Sequence, residues 1–74
     1  MITPGQIWEN GTCIVKIEND PKGLELVKFN KDSRLGLRFS GTKVFEEEDI
    51  AHSYLTELNC ELTDKSLVIE DLMK

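Results

Sequence analysis

Residues 6–18 read Gln6-Ile7-Trp8-Glu9-Asn10-Gly11-Thr12-Cys13-Ile14-Val15-Lys16-Ile17-Glu18. Two runs of β-favouring residues flank an Asn-Gly dipeptide. Asn-Gly is a strong hairpin signal because a type I′ turn requires positive φ at both central positions. In the second run Cys13, Val15 and Ile17 share one face of a period-two strand. The stretch therefore predicts an N-terminal β-hairpin with a type I′ turn.

The same punctuation continues along the chain, with turn residues about every eight to twelve positions, the mark of a small all-β unit. Asp20-Pro21-Lys22-Gly23 has Pro at the second position and Gly at the fourth, which suits a type I turn. Leu24 to Phe29 is a third strand whose alternation breaks near its middle, as a β-bulge would make it. Asn30-Lys31-Asp32-Ser33 is a polar turn and Leu35 to Phe39 the next strand, with Leu35, Leu37 and Phe39 on one face. Ser40-Gly41 is read as a tight reversal and Thr42 to Phe45 as a further strand. Short bulged strands curl and close easily, and closure protects the edges of so small a sheet.

After Phe45 the pattern changes. Glu46 to Asp49 open a short helical turn near 46–53, since carboxylates are favoured where the helix dipole is positive. Ile50 and Tyr54, four apart, would face the barrel, and Tyr54 to Leu58 would return as a closing strand. Beyond it Leu62, Val68, Ile69, Leu72 and Met73 make one helical stripe, with Thr63 or Asp64 as N-cap. A sixth strand through Leu67-Val68-Ile69 is the competing reading. The expected fold is mainly β: a small barrel of five to six antiparallel strands over 1–59, with 60–74 an extension packed on it, in one domain.

The chain has 74 residues, 31% charged and 39% hydrophobic, a globular composition. A chain of this length buries only about 60–65% of the surface its unfolded form exposes. No apolar run nears the ~18 residues of a membrane span. Met1 to Gln6 lack the basic and apolar regions of a signal peptide, so a cytoplasmic location is expected. In that setting Asn10-Gly11-Thr12 is a turn rather than a glycosylation site. Cys13 and Cys60 are expected as free thiols, and no CxxC or Cys/His cluster suggests zinc.

The order Pro4-Gly5-Gln6-Ile7-Trp8, two hairpins, then Gly36 to Phe45 leading into Glu48-Asp49-Ile50 and Tyr54, resembles SH3-like small barrels of the Tudor and KOW type. It is also similar to small proteins with a G-Q-x-W … F/I-x-x-x-Y pattern that are common in phage genomes. The resemblance spans about residues 4–58 and implies a fold more than a function. It departs from many SH3-like domains in the short loop at Asn10-Gly11. The aromatics Trp8, Phe29, Phe39, Phe45 and Tyr54 form no recognisable cage, so methyl-lysine reading is not implied.

Candidate chemistry is sparse. Glu48, Asp49 and His52 could approach one another on a helix, but a catalytic zinc site takes three such protein ligands and a structural one four, with no second cluster here to help. Ser53 adjoins His52, yet sequence neighbours point apart on a helix or strand. Cys13 lies mid-strand, where a thiol is buried and inert. Gly36 and Gly41 read as turn and curvature glycines, not a phosphate loop. No enzymatic activity, metal or cofactor is expected.

The charge layout says more. Residues 1–45 hold seven Lys or Arg against five acids, and residues 46–74 hold two against nine, for a net charge of −5. This pattern predicts a binding module that engages a partner protein through an acidic surface. The residues are Glu46, Glu47, Glu48 and Asp49, with Glu57, Glu61, Asp64, Glu70 and Asp71 as a wider field. Taken with the phage resemblance, it implies a modulator or inhibitor of a host protein. The alternative is a nucleic-acid-binding KOW- or Tudor-like barrel, using Lys28, Lys31, Arg34, Arg38 and Lys43 with Phe29 and Phe39 nearby for stacking. The plainer view is that the basic strands neutralise the acidic third within one fold and that both phenylalanines are core. Self-association through the C-terminal stripe stays open, as does whether Trp8 is core or a half-exposed anchor.

Overall fold

The computed structural model describes residues 2–63. The first hairpin forms where the sequence places it. β1 (Ile7–Glu9) and β2 (Cys13–Asp20) pair antiparallel, with Trp8 opposite Val15 and Glu9 opposite Ile14. The turn is not type I′, because neither Asn10 nor Gly11 has positive φ. The Asn10 N–H donates to the Cys13 carbonyl (3.0 Å), and Asn10 Oδ1 accepts from the N–H groups of Thr12 (2.7 Å) and Cys13 (2.8 Å). A side-chain carbonyl that takes two backbone donors holds the turn without any left-handed residue.

The second hairpin joins β2 to β3 (Gly23–Asp32) through Pro21-Lys22, with Asp20 opposite Gly23. Asp20 Oδ1 accepts from the Lys22 N–H at 2.9 Å. Gly23 is required by packing: a Cβ there would lie 2.2 Å from the Phe45 carbonyl oxygen. Asp32 ends β3, and its Oδ1 accepts from Arg34 N–H (2.7 Å) and Leu35 N–H (2.9 Å).

β4 runs unbroken from Gly36 to Phe45. Ser40-Gly41 is thus no reversal. Lys28 stands opposite Gly41 and Phe29 opposite Phe39, which leaves Ser40 as the extra residue of a β-bulge. The irregularity expected within β3 sits instead on its partner, facing Lys28 and Phe29.

α1 spans Glu48–Glu57, so Tyr54 to Leu58 continue or end a helix rather than form a closing strand. Ala51 and Leu55, four apart, are the residues it buries against the sheet, while Ile50 is 52% exposed. Asn59 then adopts a left-handed φ of 58°. The Asn59 N–H donates to the Thr56 carbonyl (2.9 Å) and the Cys60 N–H to the Leu55 carbonyl (3.0 Å), a Schellman stop that satisfies the last helical carbonyls. Leu55 and Cys60 belong to one buried cluster, the apolar contact that accompanies this motif.

The stop aims the chain at β5 (Glu61–Thr63), which pairs antiparallel with β1, Trp8 opposite Leu62. The sequence pattern places the end of the barrel at Asn59, whereas the sheet continues to Thr63. The five strands form one open antiparallel sheet in the order β4-β3-β2-β1-β5. Residues 64–74, with the helix-or-strand question and the stripe Val68, Ile69, Leu72 and Met73, lie outside the described residues. Among the described residues no helix is long and apolar enough to cross a membrane.

Burial divides between the two faces. On the helix side Ile2, Cys13, Val15, Ile17, Leu26, Ala51, Leu55 and Cys60 make the main core, edged by Trp8, Leu24, Phe45, Tyr54 and Leu58. On the other side Ile7 and Ile14 are buried with Leu37 against them, and Phe29 is buried nearby.

Candidate functional site

Glu46 and Glu47 link β4 to α1, and Glu48 and Asp49 occupy the helix's first turn; all four are exposed. Glu47 is the N-cap and makes no side-chain capping bond, so the carboxylates meet the helix end through its dipole alone. Glu57 is exposed at the opposite end, in a last turn with no basic residue. The ion pairs among the described residues are Lys16–Glu18 at 3.1 Å and Lys31–Glu9 at 3.5 Å, and neither reaches this helix. Ile50 follows Glu48 and Asp49 in the first turn of the helix and is half-exposed, so an apolar side chain adjoins the carboxylates. Glu61 is exposed on β5, beyond the other end of the helix. Asp64, Glu70 and Asp71 lie outside the described residues.

His52 does not turn toward Glu48 and Asp49. Its ring stands edge-on to Trp8, with centroids 6.0 Å apart and planes at 85°. Among the described residues no three His, Cys, Asp or Glu side chains group as a metal site. Trp8 is half-buried at the rim of the main core, and its Nε1 donates to Gln6 Oε1 at 3.2 Å. The same oxygen accepts from the Thr3 N–H at 3.1 Å, which ties the N-terminal segment to the indole.

The basic residues that lie close in sequence are divided by the register. Lys28 stands opposite Gly41, Leu26 opposite Lys43, and Asn30 opposite Arg38, so Lys28, Arg38 and Lys43 share the face that carries α1. Lys43 Nζ lies 5.1 Å from the centre of the Tyr54 ring, a cation–π contact. Beside it a cavity of about 190 Å³ opens between Lys28, Lys43, Gly41 and Tyr54. Lys31 is on the other face, donating to the Asn10 carbonyl at 2.8 Å as well as pairing with Glu9. Arg34 is exposed in the β3–β4 turn.

Phe29 and Phe39 face each other across β3 and β4 with centroids 6.0 Å apart, on the face away from Lys28, Arg38 and Lys43. Phe29 is core, as sequence reading had it; Phe39 is 65% exposed. The bulge at Ser40 causes this arrangement, because one inserted residue reverses the parity of every side chain beyond it. Sequence reading had no signal for it.

Cys13 and Cys60 are free and buried. Burial pushes the Cys60 thiol up to about 12, reinforced by the neighbouring Cys13. Such a thiol is a poor nucleophile at neutral pH, since the thiolate is the reactive form. No protein-family model, curated protein or solved structure matches the chain.

Proposed function

We propose that this chain is a small, non-enzymatic, SH3-like binding module that engages a partner protein through the outward surface of α1. The observation that carries this reading is the run 46–57. It holds five carboxylates and no Lys or Arg. Those carboxylates are exposed and outside the ion pairs found among the described residues, with Ile50 exposed in their midst. An apolar contact inside a charged rim is the usual anatomy of a protein interface, and the charge selects a basic partner and speeds encounter. The strand order, with the helix between β4 and β5, supports the SH3-like resemblance.

The second reading, a nucleic-acid-binding barrel, draws support from Lys28, Arg38 and Lys43 sharing one face. It is weakened by Phe39 lying on the opposite face and by the acidic run beyond β4. Affinity capture with the wild type, with Glu46, Glu47, Glu48 and Asp49 changed to Gln, and with Lys28, Arg38 and Lys43 changed to Ala separates the two. The first reading expects a partner protein lost in the acidic variant and kept in the basic one. Micromolar binding of RNA or DNA at about 150 mM salt, lost in the basic variant, would reject it.

A further inference from the structure

Among the described residues β4 has one partner strand, β3, so its outer side is a free edge ten residues long. The direction of its backbone groups follows from the ladder. The Lys31 N–H donates to the Thr12 carbonyl at 2.8 Å, so odd-numbered residues of β3 bond to β2 and even-numbered ones to β4. Gly41, Lys43 and Phe45, opposite Lys28, Leu26 and Leu24, bond back to β3. Thr42 and Val44 therefore present their N–H and C=O groups outward. Of the exposed large apolar residues, Phe39 (65%) and Val44 (42%) lie on this strand and Leu35 (69%) just before it. Edge strands are commonly guarded by lysine. Here Lys43 is turned over the Tyr54 ring of its own chain instead.

We propose that β4 is the interface between two copies of this chain, paired antiparallel across a twofold axis at Thr42. A twofold contact must be complementary to itself, and β4 is. Its start is basic, with Arg34 in the turn before it and Arg38 on the strand, and beyond its end the chain runs into Glu46 and Glu47. Antiparallel pairing lays the basic end of one copy along the acidic end of the other. With Thr42 opposite its own copy and the Ser40 bulge in each strand, Val44 comes opposite Phe39 on the face away from α1. Arg38 comes opposite Phe45 and diagonal to Glu47. Pairing thus covers exposed apolar side chains, fills the backbone bonds of the edge and places opposite charges together. Glu48, Asp49 and Ile50, already on the helix, stay outward, so this pairing shares only Glu46 and Glu47 with the partner surface proposed above.

Sedimentation equilibrium of the full chain at low salt tests the proposal. The wild type should be a dimer whose affinity falls as salt rises. Thr42→Pro removes an outward N–H while leaving the ladder to β3 intact, and should give a monomer with an unchanged β circular-dichroism spectrum. Arg38→Glu should weaken dimerisation about tenfold or more, and Arg38→Glu combined with Glu47→Arg should restore it. If Thr42→Pro fails to fold, the charge-reversal pair decides alone. A wild type that stays monomeric at every concentration, or a dimer indifferent to the charge reversal, overturns the proposal.

Discussion

The Asn10 side-chain amide donates to the Leu58 carbonyl, joining the β1–β2 turn to the end of α1 across 48 positions of sequence. One residue thus uses both ends of its amide: Oδ1 builds the turn and Nδ2 fixes the helix terminus above it. Asn10→Ala should lose both functions and cost about 2–3 kcal/mol, taking each net hydrogen bond at about 0.5–1.5. Asn10→Asp keeps the acceptor and loses only the one donated bond, so it should cost about 0.5–1.5 kcal/mol. Urea unfolding monitored by circular dichroism separates them. Equal losses would mean that the turn contacts contribute nothing and the helix contact everything.

The two hairpin turns contain glycines of opposite character. Gly11 has no positive φ and open space where a Cβ would be, whereas a Cβ on Gly23 would meet the backbone of Phe45 and Glu46. Gly11→Ala should be neutral or stabilise by up to about 1 kcal/mol, because it lowers the entropy of the unfolded chain. Gly23→Ala should destabilise by about 2 kcal/mol or more, since backbone must move to admit it. A loss in Gly11→Ala equal to that in Gly23→Ala would restore the type I′ turn that the structure denies.

What the sequence reveals and conceals follows from range. Asn10-Gly11 and Pro21-Lys22 announce their hairpins because turn chemistry is local, and the strands beside them follow. Ser40-Gly41 looks like a turn by composition, yet the ladder with Lys28 and Phe29 carries β4 through it. Tyr54 to Leu58 alternates well enough for a strand, and the core decides for helix by taking Ala51 and Leu55 together. The acidic surface is legible because a run of carboxylates is exposed in any fold. The basic stripe is not, because a single bulge sets which face each lysine and arginine occupies.

The buried Cys60 thiol predicts a stability loss at alkaline pH. Burial raises the Cys60 pKa from 9.0 to about 12, with Cys13 adding to it, so the folded state holds its proton more tightly than the unfolded chain does. That contribution is fully present below pH 9.0 and disappears as pH climbs toward about 12. The informative quantity is the difference between wild type and Cys60→Ala, in which the contributions of all other groups cancel. The wild type should lose stability relative to the variant across this window. Parallel curves would show that the thiol stays accessible to water.

Ile50 and Leu55 lie on one helix and should respond oppositely. Leu55 is fully buried beneath α1, and Leu55→Ala should cost about 2–5 kcal/mol, as such cavities do. In a domain of this size each kcal/mol lowers the melting temperature by about 4–8 °C, so the variant should melt far below the wild type. Ile50 is 52% exposed, so Ile50→Ser should change stability by less than about 0.5 kcal/mol. If α1 carries the partner surface, that same quiet substitution should sharply reduce capture of the partner, because an apolar residue inside a charged rim is where binding energy concentrates. Melting curves and capture yields measured on the same preparations decide it. A stable Ile50→Ser that captures the partner as well as the wild type would move the interface off this helix.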